Sequence, residues 1–426
     1  MFKESMLDRT LRTIKRFIPR RLFALGAKIY HPLLAWSGAL VYGFPSHKIC
    51  VIGVTGTKGK STVVFLTAKL LEGAGHPVAA IGSLGYKIRE REWPNLLKMT
   101  MPGRWKLQKF LRSAVRAGCT HVVIEVPSEG LAQGRHLGVR FDCAVFTNLH
   151  PEHLEAHGGY DAYRQAKGKL FAATPHLHVI NADDDAAHYF ASFRATKRLF
   201  YGVQGGEMRA SELDVHEDRA SFNVYGTRFD LKLGGLFNVY NALAALSAVA
   251  LYGVDLPTAK PILESVTEIP GRLQWLTREP FGVVVDYAHT PDSLEAVYST
   301  LKPHAKRLIG VLGAAGGGRD KWKRPKFGAL AEKYCDRIYL TNEDPYDENP
   351  ERIVEDVAAG ISGPSQKKTE RIMDRRAAIA AALTDAQNGD IVVITGKGSE
   401  TSIALAGGRK LPWSDARTVE DLLNRR

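Results

Sequence analysis

The hydrophobic period of the chain changes repeatedly, and the first change is the sharpest. A continuous apolar, largely β-branched run, Val51-Ile52-Gly53-Val54-Thr55, gives way to Gly, Thr and Lys, and apolar residues then recur at helical spacing over residues 63–72. A short apolar run bounded by turn residues predicts a buried strand, and recurrence every three to four residues predicts a helix. The same reasoning predicts strands over 78–81, 121–126 and 143–147, with a helix over 104–118. Residues 222–224 and 229–233 flank Tyr225-Gly226-Thr227 and predict a hairpin, an antiparallel extension of the sheet, and the Ala- and Leu-rich stretch 238–252 predicts a helix.

Glu268-Ile269-Pro270-Gly271-Arg272 interrupts the pattern, and a second run follows with strands over 283–286, 308–312, 337–341 and 391–395 and helices between them. Strand and helix in alternation build parallel sheets covered by helices on both faces. The expected fold class is α/β, with a phosphate-loop domain of mostly parallel sheet over 48–268 and a Rossmann-like α/β domain over 269–426. Ligands of open parallel sheets lie at the carboxyl ends of the strands, so the second module is expected to carry a site of its own.

Residues 1–47 stand apart. Leu7, Leu11, Ile14 and Ile18 recur at helical spacing with Arg9, Arg12, Lys15 and Arg16 between them, a basic amphipathic helix ended by Pro19. The apolar stretch 22–44 contains Lys28, His31 and Pro32, which argues against a bilayer-spanning helix. Two readings stay open, a helical hairpin packed on the main body and attachment to an anionic membrane surface. A nucleotide-dependent loop directly downstream argues against a cleaved signal peptide.

Composition narrows the partners. The 426 residues suit two or three domains at roughly 150 residues each. Four widely spaced cysteines, three of them in apolar strand-like runs, predict reduced core thiols, a cytoplasmic setting and no zinc ribbon. A net charge of +13 points to an anionic partner, and no aromatic-interleaved basic tract or nucleic-acid motif is present, so nucleic acid is not expected.

The candidate chemistry begins at the loop Gly56-Thr57-Lys58-Gly59-Lys60-Ser61-Thr62. A glycine-rich turn between strand and helix aims backbone N–H groups and a helix N-terminus at one point, and Lys60 adds a mobile cation. A polyphosphate suits that point, with the hydroxyl of Ser61 or Thr62 placed for Mg²⁺. The general phosphate-loop pattern wants Gly where Val54 stands.

Further motifs follow in order: Glu125-Val126-Pro127-Ser128, Thr147-Asn148-Leu149 with His153, Ala166-Lys167, Phe237-Asn238-Val239-Tyr240-Asn241, Pro270-Gly271-Arg272 and Asp286-Tyr287-Ala288-His289-Thr290-Pro291-Asp292. Together with the loop they resemble the Mur ligases, in particular the MurE type, the muramyl-tripeptide synthetases, over residues 48–400. The resemblance implies an ATP- and Mg²⁺-dependent ligase of cell-wall precursor synthesis. ATP would phosphorylate a substrate carboxylate, and an amine would attack the acyl phosphate to give an amide, ADP and phosphate. It implies Mg²⁺ on Ser61, Glu125, His153 and a carbamylated Lys167, although on its own Lys167 reads as a solvated helix lysine. It places Asn238, Asn241 and His289 near adenine, Asp286 on ribose and Arg272 on ATP phosphate, and it gives 48–268 the nucleotide and 269–426 the amino acid. Thr100, Ser128 and Arg135 match contacts to the muramyl-peptide acceptor, and Arg319, Asp344 and Glu400 match the amino-acid end.

Departures mark where the metal geometry and the substrates are expected to differ. Glu152 and Glu155 replace the usual Asp, and Pro127-Ser128-Glu129-Gly130 replaces Ser-Ser-His-Ala. Glu343-Asp344-Pro345-Tyr346 replaces the Asp-Asn-Pro-Arg of diaminopimelate-adding enzymes, and loss of that guanidinium fork argues against a distal carboxylate. Residues 343–348 read either as a solvated acidic loop or as a specificity loop in which Asp344, Asp347 and Glu348 favour a cationic amine such as lysine or ornithine. The MurE-type UDP-binding module is expected to be missing or vestigial in the 47 residues before Lys48. A monomer is expected, peripheral at most to the inner membrane face. Three alternatives remain: a folylpolyglutamate synthetase-like ligase, MurT-like amidation of a lipid-linked precursor, and a nucleotide-binding scaffold without catalysis.

Overall fold

The structure, a computed structural model, describes residues 20–96, 99–152, 154–318 and 320–425. The basic helix read over residues 7–18, and also His153 and Arg319, lie outside the described residues. A helix α1, Arg20–Val41, precedes the first sheet and tolerates Pro32 inside it. Among the described residues no helix is long and apolar enough to cross a membrane.

Nine strands form the first sheet: β1 (Cys50–Thr55), β2 (Val78–Gly82), β3 (Gly85–Ile88), β4 (Arg91–Trp93), β5 (His121–Glu125), β6 (Cys143–Phe146), β7 (Leu177–Asn181), β8 (Lys197–Gly202) and β9 (Met208–Arg209). Their order is β4-β3-β2-β5-β1-β6-β7-β8-β9, parallel from β2 through β9 and antiparallel at β3 and β4. Alternate residues supply the two faces. Ile52, Val54, Val123 and Val145 pack against α2 (Lys60–Gly73) and another helix, Leu236–Ala250. Val51, Val122, Ile124 and Ala144 pack against α3 (Arg104–Arg116) and α4 (Tyr160–Ala172). Burial on both faces explains why these strands read as continuous apolar runs. Helix α5 is Leu236–Ala250.

The predicted hairpin forms, as β11 (Ala220–Val224) and β12 (Thr227–Leu231), but it does not extend the main sheet. With β10 (Ser211–Val215) it makes a separate three-stranded antiparallel sheet. Phe222 and Phe229 stack across the pair, 5.3 Å between ring centroids, and join the core under α5. The hairpin's apolar face is therefore satisfied by a helix and not by a strand edge.

A six-stranded sheet follows, with β13 (Gln274–Thr277), β14 (Gly282–Asp286), β15 (Leu308–Leu312), β16 (Arg337–Leu340), β17 (Thr369–Arg371) and β18 (Ile391–Thr395) in the order β13-β14-β18-β15-β16-β17. Only β13 runs antiparallel to its neighbour. One face packs on α6 (Pro291–Leu301) and α7 (Lys323–Tyr334), and the other on α8 (Arg375–Asp385) and α9 (Asp415–Leu423). A small antiparallel pair, β19 (Ser402–Ala404) and β20 (Lys410–Pro412), completes the chain's sheets among the described residues.

The start of α8 is fixed by a buried ion pair. Arg375 donates through Nε and Nη2 to Asp415 at 2.8 and 2.7 Å, and also to the Thr395 carbonyl at 2.8 Å, with both side chains almost fully buried. Replacing Asp415 with Ala would leave a buried guanidinium without its counter-charge, which costs about 3–5 kcal/mol. Denaturant unfolding of that variant is expected to show this loss, while removal of the exposed Glu295–Lys333 pair leaves the midpoint nearly unchanged.

Candidate active site

The loop between β1 and α2 is held by its neighbours before any ligand is considered. The position at which the general phosphate-loop pattern wants Gly falls inside β1, where Val54 is buried core, so the departure lies outside the loop itself. Thr57 N–H donates to the Asn148 carbonyl at 2.8 Å, Lys58 N–H to Asn148 Oδ1 at 2.8 Å, and Thr147 Oγ1 to the Lys58 carbonyl at 2.6 Å. Two glycines are required by this packing. A Cβ on Gly56 would lie 1.9 Å from Thr147 Oγ1, and one on Gly59, at φ +78°, would lie 2.3 Å from Asn241 Oδ1.

Cations crowd this loop. Lys60 folds back so that its ammonium donates to the Thr57 carbonyl at 2.7 Å. Lys167, on α4, donates to the Gly56 carbonyl at 2.6 Å and lies 4.5 Å from the centre of the Tyr163 ring. It is 1% exposed, so its reading as a solvated helix lysine is corrected: the side chain points inward, in the apolar stripe of Tyr163, Ala166 and Leu170. Lys169 faces out, as its spacing predicts. Burial first, and then the Lys60 charge, hold the Lys167 amine well below the ordinary lysine range. Burial likewise lowers Lys58 to about 8, against the pull of Glu152 at 3.3 Å.

Glu125 ends β5 and accepts from the Ser83 N–H at 2.8 Å and the Ser83 hydroxyl at 3.2 Å, and Ser83 in turn lies 3.2 Å from Thr100 Oγ1. The second sheet reaches across. Arg272 donates to Ser61 Oγ at 3.1 Å and stacks on Tyr287, 4.3 Å from the ring centre. His289 lies 3.4 Å from Glu152, and burial with the nearby Lys58 charge lowers its imidazole to about 4. Asp286 accepts from the Leu273 and Ala288 N–H groups, both at 2.6 Å.

Two cavities meet at the loop. One, of about 500 Å³, lies between the start of α5, the carboxyl ends of β7 and β14, and α6; Asn238, Asn241, Asp286, His289 and Arg272 line it with Gly59 and Thr62. In the first turn of α5, which has no side-chain cap, the Asn238 amide donates to the Gly234 carbonyl at 2.8 Å, and Asn241 donates to Asn238 Oδ1 at 3.2 Å. The other, of about 450 Å³, holds the opposite side of the loop from Thr57 to Ser61. Glu125, Thr100, Ser128 and Arg135 line it from the first sheet, and Asp344 and Glu400 from the second. The described residues expected from the motifs are thus gathered on the two sides of one loop, apart from Lys167, which sits beneath it.

The acidic stretch 343–348 is largely occupied by the chain itself. Asp344 accepts from Lys397 at 2.9 Å and from the Ala404 N–H at 2.6 Å, and Lys397 also pairs with Glu400. Lys397 is fully buried and its charge is held above the ordinary range by Glu400 and Asp344 in spite of that burial. Asp347 accepts from the Gly407 N–H, and Glu348 pairs with Arg324 at 2.9 Å. Glu343 lines the second cavity, its carboxyl pushed up to about 7 by burial and by Asp344. Lys397, Glu343, Ser83 and the Thr147-Asn148 clamp are site residues that motif reading left without a role. Thr147-Asn148 carried a visible signal, a polar pair directly after a buried strand; Lys397 and Asp344 are 53 residues apart and carried none.

Comparison with known proteins agrees with this geometry. Residues 54–249 match the Mur ligase middle domain and residues 271–398 the Mur ligase, glutamate ligase domain. The chain is 38% identical over 374 residues to a UDP-N-acetylmuramoyl-L-alanyl-D-glutamate--2,6-diaminopimelate ligase of Geobacillus thermodenitrificans, covering 84% of this chain and 76% of the relative. It is 38% identical over 409 residues to a UDP-N-acetylmuramyl-tripeptide synthetase of a Roseiflexus species, covering 90% and 80%. A solved UDP-N-acetylmuramoyl-L-alanyl-D-glutamate--2,6-diaminopimelate ligase superposes with a TM-score of 0.61 at 34% identity, over 88% of this chain and 78% of that one. The folylpolyglutamate synthase of Mycobacterium tuberculosis shares the fold, with a TM-score of 0.70 at 19% identity over 86% and 92% of the two chains. The chain belongs to the Mur ligase family and is an ATP-dependent acid–amino-acid ligase of that type.

Proposed function

We propose that this ligase activates a muramyl-peptide carboxylate with ATP and joins it to a diamino acid lacking a second carboxylate. The observation that carries the reading is the pair of cavities meeting at the loop, one suited to nucleoside and one to acceptor and amine. In this reading Asn238, Asn241, Asp286 and His289 hold the nucleoside, and Lys58, Lys60, Thr62 and the loop N–H groups hold its phosphates. Residues 48–268 supply the phosphate chemistry and 269–426 the amine.

Phosphoryl transfer between anions is accelerated by rigidly placed cations, and Lys60 and Arg272 flank the transfer point. Ser61 and Glu125 offer hard oxygen donors there, a set that suits Mg²⁺, which takes few protein ligands and completes its shell with water and phosphate oxygens. When bound, the ion neutralises charge on the transferring phosphate. The Lys167 amine, held well below the ordinary lysine range by burial and then by the Lys60 charge, suits carbamylation: the nitrogen lone pair attacks CO₂, an N–H proton leaves to solvent, and the product is an anion beside Lys58 and Lys60.

For the acceptor, Thr100, Ser128 and Arg135 are the proposed contacts. For the amine, Tyr346 stands where a guanidinium would clamp a distal carboxylate, and Glu343 faces the same cavity. Purified protein is expected to release phosphate from ATP and form amide with a UDP- or lipid-linked muramyl dipeptide plus lysine or ornithine, and much less with diaminopimelate. Release with folate and glutamate alone would favour the folylpolyglutamate reading, and no release with any acceptor would overturn both.

A further inference from the structure

Helix α1 is far too apolar on its outer side for a face that meets water. Ala35 and Ala39 are buried toward the body, where Gly138 meets them closely. The opposite face shows Leu33, Trp36 and Leu40 at 65%, 53% and 68% exposure, one helical stripe spaced i, i+3 and i+7, with Tyr30 and Val41 beside it. Single exposed apolar residues are ordinary, but a continuous stripe marks a surface that binds something.

The neighbouring helix shows what. Helix α3 contains five basic residues, Arg104, Lys106, Lys109, Arg112 and Arg116, and no acidic one. Trp105, Lys109, Arg112 and Arg116 fall on one outer face at i, i+4, i+7 and i+11, while Leu107, Phe110, Leu111 and Ala114 face the core. The two outer faces join at Trp105, which stacks edge-on with Tyr42 at 6.1 Å, donates to Ser37 Oγ at 3.3 Å and covers Gly38. The result is an apolar stripe beside a basic row with tryptophan at the seam. That is the composition of an interfacial membrane-binding surface, in which apolar side chains enter the acyl boundary, aromatic rings sit at headgroup depth and Lys and Arg meet anionic lipid.

We propose that the joint outer face of α1 and α3 is a docking surface for an anionic membrane. A second copy of this chain would bury the Lys109, Arg112 and Arg116 row against either its own equivalent, which like charge opposes, or the apolar stripe, which leaves the cations without counter-charge, whereas an anionic bilayer complements both halves of the surface. The surface also adjoins the acceptor end of the second cavity. Arg104 donates to the Gln133 carbonyl, and the Gln133 side chain accepts from Arg135 at 2.8 Å, the arginine that lines that cavity.

The test is co-sedimentation of the full chain with vesicles of phosphatidylcholine alone and of phosphatidylcholine mixed with phosphatidylglycerol, read without any turnover assay, so that its failure is separable from failure of the ligase reading. The full chain is expected to bind the mixed vesicles and to lose binding as salt rises. The L33S/W36S/L40S variant is expected to bind at least about tenfold more weakly. The K109E/R112E/R116E variant, which keeps the apolar stripe, is expected to lose about as much on mixed vesicles only. Equal binding to both vesicle types, or unchanged binding by both variants, overturns the proposal. So does a dimer of the parent chain that L33S/W36S/L40S converts to monomer, or a loss of thermal stability in that variant with vesicle binding intact, which would mean that protein covers the stripe.

Discussion

Replacing Lys167 with alanine is expected to lower ATP-dependent amide synthesis by about a thousandfold while leaving the protein folded. The amine lies against the loop, 2.6 Å from the Gly56 carbonyl, and burial first, then the Lys60 and Lys58 charges, lower its affinity for a proton. Loss of one rigid electrostatic group in a water-poor site costs about 3–4 kcal/mol in the transition state. The variant also separates two roles for the residue. If Lys167 works as a carbamate, a short carboxylate such as acetate should restore part of the rate by occupying the vacated space, and an alkylammonium should not. The reverse pattern of rescue would assign the residue a cationic role, and an unchanged rate of ADP release would remove it from the chemistry.

Replacing Lys60 with alanine is expected to be equally damaging, with a different signature. Its ammonium lies over the loop, bonded to the Thr57 carbonyl at 2.7 Å, on the side where the two cavities meet. Charge that spreads over a transferring phosphoryl group needs that cation more in the transition state than in the bound nucleotide. kcat should fall by about a thousandfold, because one placed cation contributes several kcal/mol in a low-dielectric site. Nucleotide affinity measured by calorimetry should fall much less, since the loop N–H groups and the start of α2 still bind phosphate. Equal losses in affinity and in kcat/KM, with kcat intact, would show that Lys60 only anchors the ground state.

Much of this arrangement was legible because burial on both faces leaves a plain trace. The runs that became β1, β5, β6, β14, β15 and β18 are buried along nearly their whole length and apolar through their middles, and the phosphate loop sits between a strand and a helix with glycine where close contact demands it. Edge strands left little trace. β4 is Arg91-Glu92-Trp93, and β9 has two residues, because an edge needs no apolar partner on its open side. The inward turn of Lys167 was marked only by its place between Tyr163 and Leu170 on one helical stripe, a pattern that also suits a lysine lying along a surface. The capture of Asp344 by Lys397 depends on two loops brought together by the second sheet, and nothing local encodes it.

The two large sheets have hydrophobic cores of their own, a pair of packed faces each, and are bridged by polar side chains such as Arg272, Glu152 and His289 and by Phe237 of α5, which packs against the second sheet's core. Natural variation can therefore rewrite one half without unsettling the other. In the proposed reading, exchanging Tyr346 or Glu343 would alter what the amine end recognises, yet neither residue packs in the core that fixes the phosphate loop. A lineage can change the amino acid that it installs in its wall while inheriting the energy-coupling half intact.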